Sequence, residues 1–349
     1  MKLHNFDFSK KIFYHPENIV KFKEGKRPFP ITMEVDLTNR CNHRCSFCFY
    51  AEHIAVDKSM LNTATISKAL TDAKALGLKG VSFTGGGEPM VHKEFVKVLK
   101  HAHNTGLDCG LITNGSAINP SNAEELVENL KWIRISMGGG NRESYKNVQG
   151  VDHFDRVLEN IKTLSERNFE AGQPVNIGVR VLVTEQNVES LCNLAGELVK
   201  YKVNYLQFAP DMFTKDEGKF WNDNKTQQIF RDTEAILQTK NIKLLTAGYL
   251  KDQPRLDYPE MCYAHFFQVA VTAEGNVVFC KNARGADDFV IGNINNNTME
   301  EIWNGEKNKA LESWIKPANC GLLCKNMQLN VAMEDTLHPS DEMSPNFIS

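Results

Sequence analysis

No stretch of the chain approaches the roughly 18 consecutive apolar residues of a membrane span, and Met1 to Lys11 alternates polar and aromatic side chains without an apolar signal-peptide core. Those absences predict a cytoplasmic protein with no membrane partner. Runs of Lys or Arg are missing too: 40 basic against 43 acidic side chains leave a net charge of only -3. Nothing here supports a polyanion-binding surface, so nucleic acid is not an expected partner. Cysteine lacks the even count that a pure disulfide framework favours, since there are nine. In a reducing compartment nine thiols read as metal ligands or buried small side chains. The rest is ordinary: 349 residues, 42% hydrophobic and 24% charged, suffice for one α/β domain of barrel size and a smaller appendage.

Three of the cysteines fall within eight residues, Cys41-Asn42-His43-Arg44-Cys45-Ser46-Phe47-Cys48. Three thiolates can hold three corners of a four-iron cluster and leave the fourth iron open to a ligand that is not protein. A zinc site is the competing assignment, but zinc knuckles supply paired Cys-x2-Cys arms and a fourth protein ligand, and here His43 and His53 read equally well as loop residues. With Phe47 inside it, Cys41-x3-Cys45-x2-Cys48 resembles the signature of the radical S-adenosylmethionine (SAM) enzymes.

Around that loop, strand and helix patterns alternate. Strands are expected over residues 33–37, 81–84, 107–113, 131–136, 175–183 and 203–209, with 242–246 left to extend the set. Helical stripes lie between them, as at Ile66, Ala69, Leu70 and Ala73, which end at a capping Gly77. Six such units predict an α/β fold, a partial (β/α)6 parallel barrel of radical SAM type, incomplete and so open at one side. Beyond about Tyr258 the pattern changes to a β-hairpin turning at Ala273-Glu274-Gly275 and then a helix. The expected divisions are an N-terminal extension at 1–30 that caps the barrel base, the barrel at 31–257, a small Twitch/SPASM-like domain at 258–333 and a loose tail at 334–349.

Thr84-Gly85-Gly86-Gly87-Glu88-Pro89 follows the second expected strand, and its glycines let backbone approach a ligand closely. The resemblance implies that Gly86, Gly87 and Glu88 bind the amino group of SAM. It also places Ser136 and Arg180 where related enzymes hold the SAM carboxylate and ribose, with Phe47 and Asn114 as further cofactor-site residues. Arg180 lies within an apolar run and needs an anion if buried; Glu34 or Asp36 would serve as well as a ligand carboxylate. Asn114 is equally explained by a turn with Gly115. Relatives carry an acidic residue two places after the Ser, whereas here Ser136 is followed by Met137-Gly138-Gly139-Gly140.

The second cysteine group is Cys262, Cys280, Cys320 and Cys324. Cys262-x12-Gly275-x4-Cys280, Ile291-Gly292-Asn293-Ile294 and Glu301-Ile302-Trp303-Asn304 resemble the SPASM or Twitch extension. The four thiols match one auxiliary [4Fe-4S] cluster, or a structural zinc. Cys109 and Cys192 read as buried side chains, with hydrogen-atom donation to a substrate radical as the alternative. Tyr50, Glu52, His53 and Tyr145 are possible substrate contacts.

The resemblance implies an enzyme that reductively cleaves SAM to a 5'-deoxyadenosyl radical, fed by an electron donor such as flavodoxin or ferredoxin. It implies oxidation or dehydrogenation of a small molecule, carbohydrate or peptide, assisted by the auxiliary cluster. A peptide is the less favoured of the three because the residues before the barrel are too few for a leader-binding domain. Epimerisation or peptide maturation is the alternative within the class, and a structural metal-binding scaffold the alternative outside it.

Overall fold

The computed structural model of the chain describes residues 9–210, 219–246, 258–320, 324 and 326–338. Residues 339–349, most of the expected tail, lie outside that set, as do the first eight residues and the expected barrel boundary at 257. Among the described residues no helix is long and apolar enough to cross a membrane.

All six expected strands form, and a seventh joins them: β1 (Thr32–Asp36), β2 (Gly80–Thr84), β3 (Asp108–Thr113), β4 (Trp132–Met137), β5 (Asn176–Val183), β6 (Tyr205–Pro210) and β7 (Lys243–Thr246). They pair parallel in chain order, as short strands joined by helical crossovers must. The crossover helices start and stop where their caps dictate. Asn62 accepts from the amides of Ala64 and Thr65 to open the helix Thr63–Leu76, and Gly77, at φ 120°, closes it.

The expected hairpin, β8 (Gln268–Val271) and β9 (Asn276–Val278), also forms, with Gly275 at φ 87° in its turn. It does not stand apart. β8 pairs parallel with the free edge of β1, and β10 (Val290–Asn293) continues antiparallel from β9. The result is one ten-stranded sheet ending at β10 on one side and β7 on the other, so the barrel stays open.

The sheet's two faces differ sharply because side chains alternate along each strand. One face carries Met33, Val35, Phe83, Leu111, Ile133, Ile135, Val179, Val181 and Phe208, all buried against the helices, as in the edge-on contacts of Phe83 with Phe95 and the tilted pair Phe208–Phe230. The opposite register presents Glu34, Asp36, Arg134, Ser136, Arg180 and Gln207. The inward face is thus polar where the outward face is apolar.

Residues 16–29 pack on the C-terminal segment: Phe22 meets Tyr263 and Phe266 edge-on, Phe29 meets Trp303, and Arg27 lies over the Trp303 ring while donating to its carbonyl. Aromatic surface shared by the two segments decides this placement. The helix Met327–Leu337 runs past the expected tail start at 334, because Met333 is fully buried and Glu334 accepts from the Tyr263 hydroxyl at 2.8 Å.

Candidate cofactor and metal site

The loop carrying Cys41, Cys45 and Cys48 leaves the C-terminal end of β1 and is pinned to the helix Arg142–Gln149. Arg44 and Ser46 donate their amides to the carbonyls of Gln149 (3.0 Å) and Val148 (2.9 Å). Gly150 makes that approach possible: its φ is 71°, and a Cβ there would strike the Arg44 carbonyl. Burial raises the pKa of all three thiols, and in Cys45 the neighbouring Cys41 and Cys48 add to it, pushing it up to about 12. Three thiolates that repel one another call for a cationic centre between them. Backbone amides already face the sulfurs, from His43 to Cys41 at 3.4 Å and from Tyr50 to Cys48. This donor set fits an iron–sulfur cluster.

The glycine turn packs directly on that loop. Gly87 and Glu88 donate to the carbonyls of Thr38 and Arg40, both at 3.0 Å, and Gly86 donates to Asp36. A Cβ on Gly87 would collide with the same two carbonyls, so only glycine allows the contact. With those amides committed, the Gly86 and Gly87 carbonyls accept nothing from the described residues and remain as acceptors for an ammonium group. The Glu88 side chain is otherwise employed. Its buried carboxylate accepts from the Met90 amide, the Asn114 amide (2.7 Å) and the Thr113 hydroxyl (2.6 Å), stapling the ends of β2 and β3 together. Asn114 donates its side-chain amide to Asn42 in the cysteine loop (2.8 Å) and accepts from Ser116, so its side chain orders the loop.

Ser136 and Arg180 are register partners on β4 and β5, with Gln207 beside Arg180 on β6. Arg180 is not paired with Glu34 or Asp36. Those carboxylates are held by Lys281 (3.0 Å to Glu34) and Arg284 (2.8 Å to Glu34, 3.1 Å to Asp36). Burial would raise Glu34, but the two cations outweigh it and bring the group to about 2. Asp36 goes the other way, to about 6, because burial dominates over Arg284. Arg180 itself is lowered to about 9 by burial and then by Arg134, and its Nε is enclosed without a partner. An arginine left charged and unpaired in such a place fits an anionic ligand.

Two residues here escaped sequence reasoning. Gln149 donates Nε2 to the Ser136 carbonyl (3.0 Å) and accepts from the Cys45 thiol (2.7 Å), joining the cysteine loop to β4. It also explains the missing acidic residue, since a Cβ on Gly138 would meet the Gln149 side chain. Arg284 was visible only as a charge four places after Cys280.

In the C-terminal segment, Cys262 feels the charges of Cys280 and Cys324, and Cys320 those of Cys324 and Cys280, so the four thiols share one locality. Burial pushes Cys262 up to about 12, and amides from His265 to Cys262 and Asn326 to Cys324 repeat the N–H to sulfur pattern of the first site. Of the remaining candidates, the two leftover cysteines are not brought in. Cys109 is buried on the helix-facing side of β3, and Cys192 packs between helices against Thr233 (3.5 Å). Tyr145 is fully buried, edge-on to His43 and Phe154; Phe47 is half-buried and Glu52 exposed. His53 meets Glu274 (3.2 Å), and Tyr50 lies against Arg284.

Comparison with known proteins matches two regions of the chain. The radical SAM superfamily profile matches residues 35–198, and that of an iron-sulfur cluster-binding domain, SPASM, matches residues 262–326. The Fe-coproporphyrin III synthase of Methanosarcina barkeri is 22% identical over 84% of this chain and 77% of its own length. The PqqA peptide cyclase of Xanthomonas euvesicatoria is 24% identical over 79% and 75%. The likeness to a probable GTP 3',8-cyclase of Thermococcus kodakarensis, 31% identical, spans 44% of this chain and about half (48%) of that protein. Among solved structures, Streptococcus suis SuiB bound to S-adenosylmethionine superposes with a TM-score of 0.68 at 18% identity, covering 93% of this chain and 77% of that one. SuiB bound to precursor peptide SuiA gives 0.65 at 17% over 88% and 73%, and anSMEcpe with bound AdoMet and Cp18Cys peptide gives 0.58 at 20% over 86% and 88%. These domains bring SAM, a [4Fe-4S] cluster and auxiliary iron–sulfur binding as cofactors. The chain is a radical SAM superfamily enzyme with a C-terminal SPASM iron–sulfur cluster-binding domain.

Proposed function

We propose that this enzyme is an oxidoreductase that modifies a peptide, removing hydrogen from an unactivated carbon. When bound at Cys41, Cys45 and Cys48, the cluster supplies the electron that cleaves SAM to a 5'-deoxyadenosyl radical. In this reading the carbonyls of Gly86 and Gly87 receive the SAM ammonium, Ser136 and Arg180 receive its carboxylate, Phe47 and Asn114 border the cofactor, and Gln149 holds the cysteine loop against β4. Cys262, Cys280, Cys320 and Cys324 would hold the auxiliary cluster, a group that would be able to accept an electron from the substrate. The domain limits that go with it are a barrel over 31–257 and the auxiliary domain from 258.

One observation carries the redox part: Lys281 and Arg284, immediately after Cys280, are ion-paired with Glu34 and Asp36 on β1. That tie holds the second thiol set against the barrel interior, where an electron acceptor is of use. The peptide part is supported by the relatives, a PqqA peptide cyclase and two structures with bound peptides.

Anaerobic reconstitution tests the reading. The protein is expected to bind roughly eight irons with matching sulfide, if both sites hold four-iron clusters, and to release 5'-deoxyadenosine after reduction. Cys45→Ala abolishes SAM cleavage, whereas Cys280→Ala spares cleavage and stops product formation. A colourless zinc protein that leaves SAM intact defeats the reading. Mass spectrometry of peptide and metabolite mixtures before and after turnover decides the substrate: loss of two hydrogens from a peptide supports it, solvent deuterium in an otherwise unchanged product points to epimerisation, and change confined to small metabolites removes the peptide.

A further inference from the structure

Arg180 is not the only cation on the polar face of the sheet. Arg134, on β4 two residues before Ser136, lies on the same face, and its own register partners are Ile112 on β3 and Gly178 on β5. Gly178 has a reason to be glycine. The Tyr205 ring from β6 lies across it, and a Cβ at 178 would collide with that ring. Gly110 does the same for Trp132. Two aromatic rings thus lie flat along this stretch of the face, and Arg134 rises between them. Tyr205 is close enough to favour the charge on both Arg134 and Arg180.

Arg134 keeps some accessible surface, yet its Nε is enclosed and unpartnered, and no ion pair or hydrogen bond to it exists among the described residues. The one carboxylate whose charge it feels, Glu34, is already held by Lys281 and Arg284. Arg180 adds repulsion from above. Two desolvated guanidiniums that repel each other, with no carboxylate between them, form an arrangement that becomes favourable only with anions present. Under the function proposed above, the SAM carboxylate answers Arg180. Arg134, deeper in the barrel by two residues of β4, or about 6.6 Å, then still lacks its anion.

We propose that Arg134, with the Tyr205 hydroxyl, forms a second anion site on the barrel floor that receives a carboxylate carried by the substrate. The planar fork of a guanidinium matches a carboxylate bidentately, and the rings of Trp132 and Tyr205 offer apolar cover to the carbon chain bearing it. This inference rests on the peptide reading and sharpens it: the segment entering the barrel carries an acidic side chain or a terminal carboxylate.

The test uses the full reconstituted chain and sodium malonate as the probe, with sodium chloride at matched ionic strength as control. Malonate is expected to raise the thermal midpoint of the wild type, and Arg134→Met to weaken its apparent affinity at least about tenfold while shifting SAM affinity less than about twofold. Arg134→Lys, which keeps the charge and loses the fork, is expected to fall between and covers the case in which the methionine variant does not fold. Equal stabilisation of wild type and Arg134→Met by malonate, no malonate effect on the wild type, or an Arg134→Met loss of SAM binding as large as that of Arg180→Met each overturns the site. If Arg180→Met binds SAM normally while Arg134→Met still loses malonate, the cofactor assignment of Arg180 fails and the second site stands.

Discussion

The two sides of the barrel interior handle charge in opposite ways. On the β1 side, Glu34 and Asp36 are answered within the chain by Lys281 and Arg284. On the β4 to β6 side, Arg134 and Arg180 are ion-paired with no carboxylate among the described residues, and Glu34, whose charge Arg134 feels, is held by Lys281 and Arg284. The first arrangement is ion-paired within the chain and ties a distant segment to the sheet. The second is incomplete, and in a low-dielectric interior an incomplete charge set marks the place where a ligand supplies the missing sign.

The comparison breaks most visibly at its closed side. Arg284→Met leaves Glu34 and Asp36 buried with one cation between them, and the expected loss is about 3–5 kcal/mol, read by chemical denaturation. A smaller loss means that solvent reaches these carboxylates. At the open side the same kind of change has a different outcome. Arg180→Met removes a cation with no internal partner, so the stability of the ligand-free protein is expected to hold or rise, while SAM affinity falls on the order of a hundredfold, about 2.7 kcal/mol. Loss of stability without loss of affinity would make Arg180 a structural residue.

The pH dependence sharpens the contrast within the closed side. Glu34, lowered to about 2, contributes stability that is present above its ordinary value of 4.5 and is lost as pH falls toward 2. Asp36, raised to about 6, has the opposite sign: its contribution is fully present below its ordinary 3.8 and is lost as pH rises through 6. Asp36→Asn is therefore expected to gain about 1–3 kcal/mol at pH 7 and to remove the decline between pH 4 and 6 in a urea denaturation series. An unchanged pH profile would show that Arg284 keeps Asp36 ionised throughout.

Much of the barrel was legible because its signals are local. The alternation Ile177-Gly178-Val179-Arg180-Val181 states which residues face the helices and which face inward, and the spacing of Cys41, Cys45 and Cys48 sets three thiols on one short loop. Gly77 and Asn62 mark a helix by chemistry confined to its ends. Legibility failed where the partner is remote. Nothing near Arg180 shows that Glu34 and Asp36 are engaged by residues some 250 positions later in the chain. Nothing near Ser136 shows that Gln149 occupies the space that Gly138 leaves. The hairpin was readable as a hairpin, but its attachment to β1 depends on that strand having an unpaired edge.

The sequence by itself determined the three-cysteine loop, the order of parallel strands and the division of each strand into an apolar and a polar face, since these follow from covalent spacing and the two-residue repeat of extended chain. Only the tertiary structure decided which of the inward charges neutralise one another and which stay open. Ion pairing depends on separations of a few ångströms across segments that chain order leaves far apart, and the fold alone sets those separations.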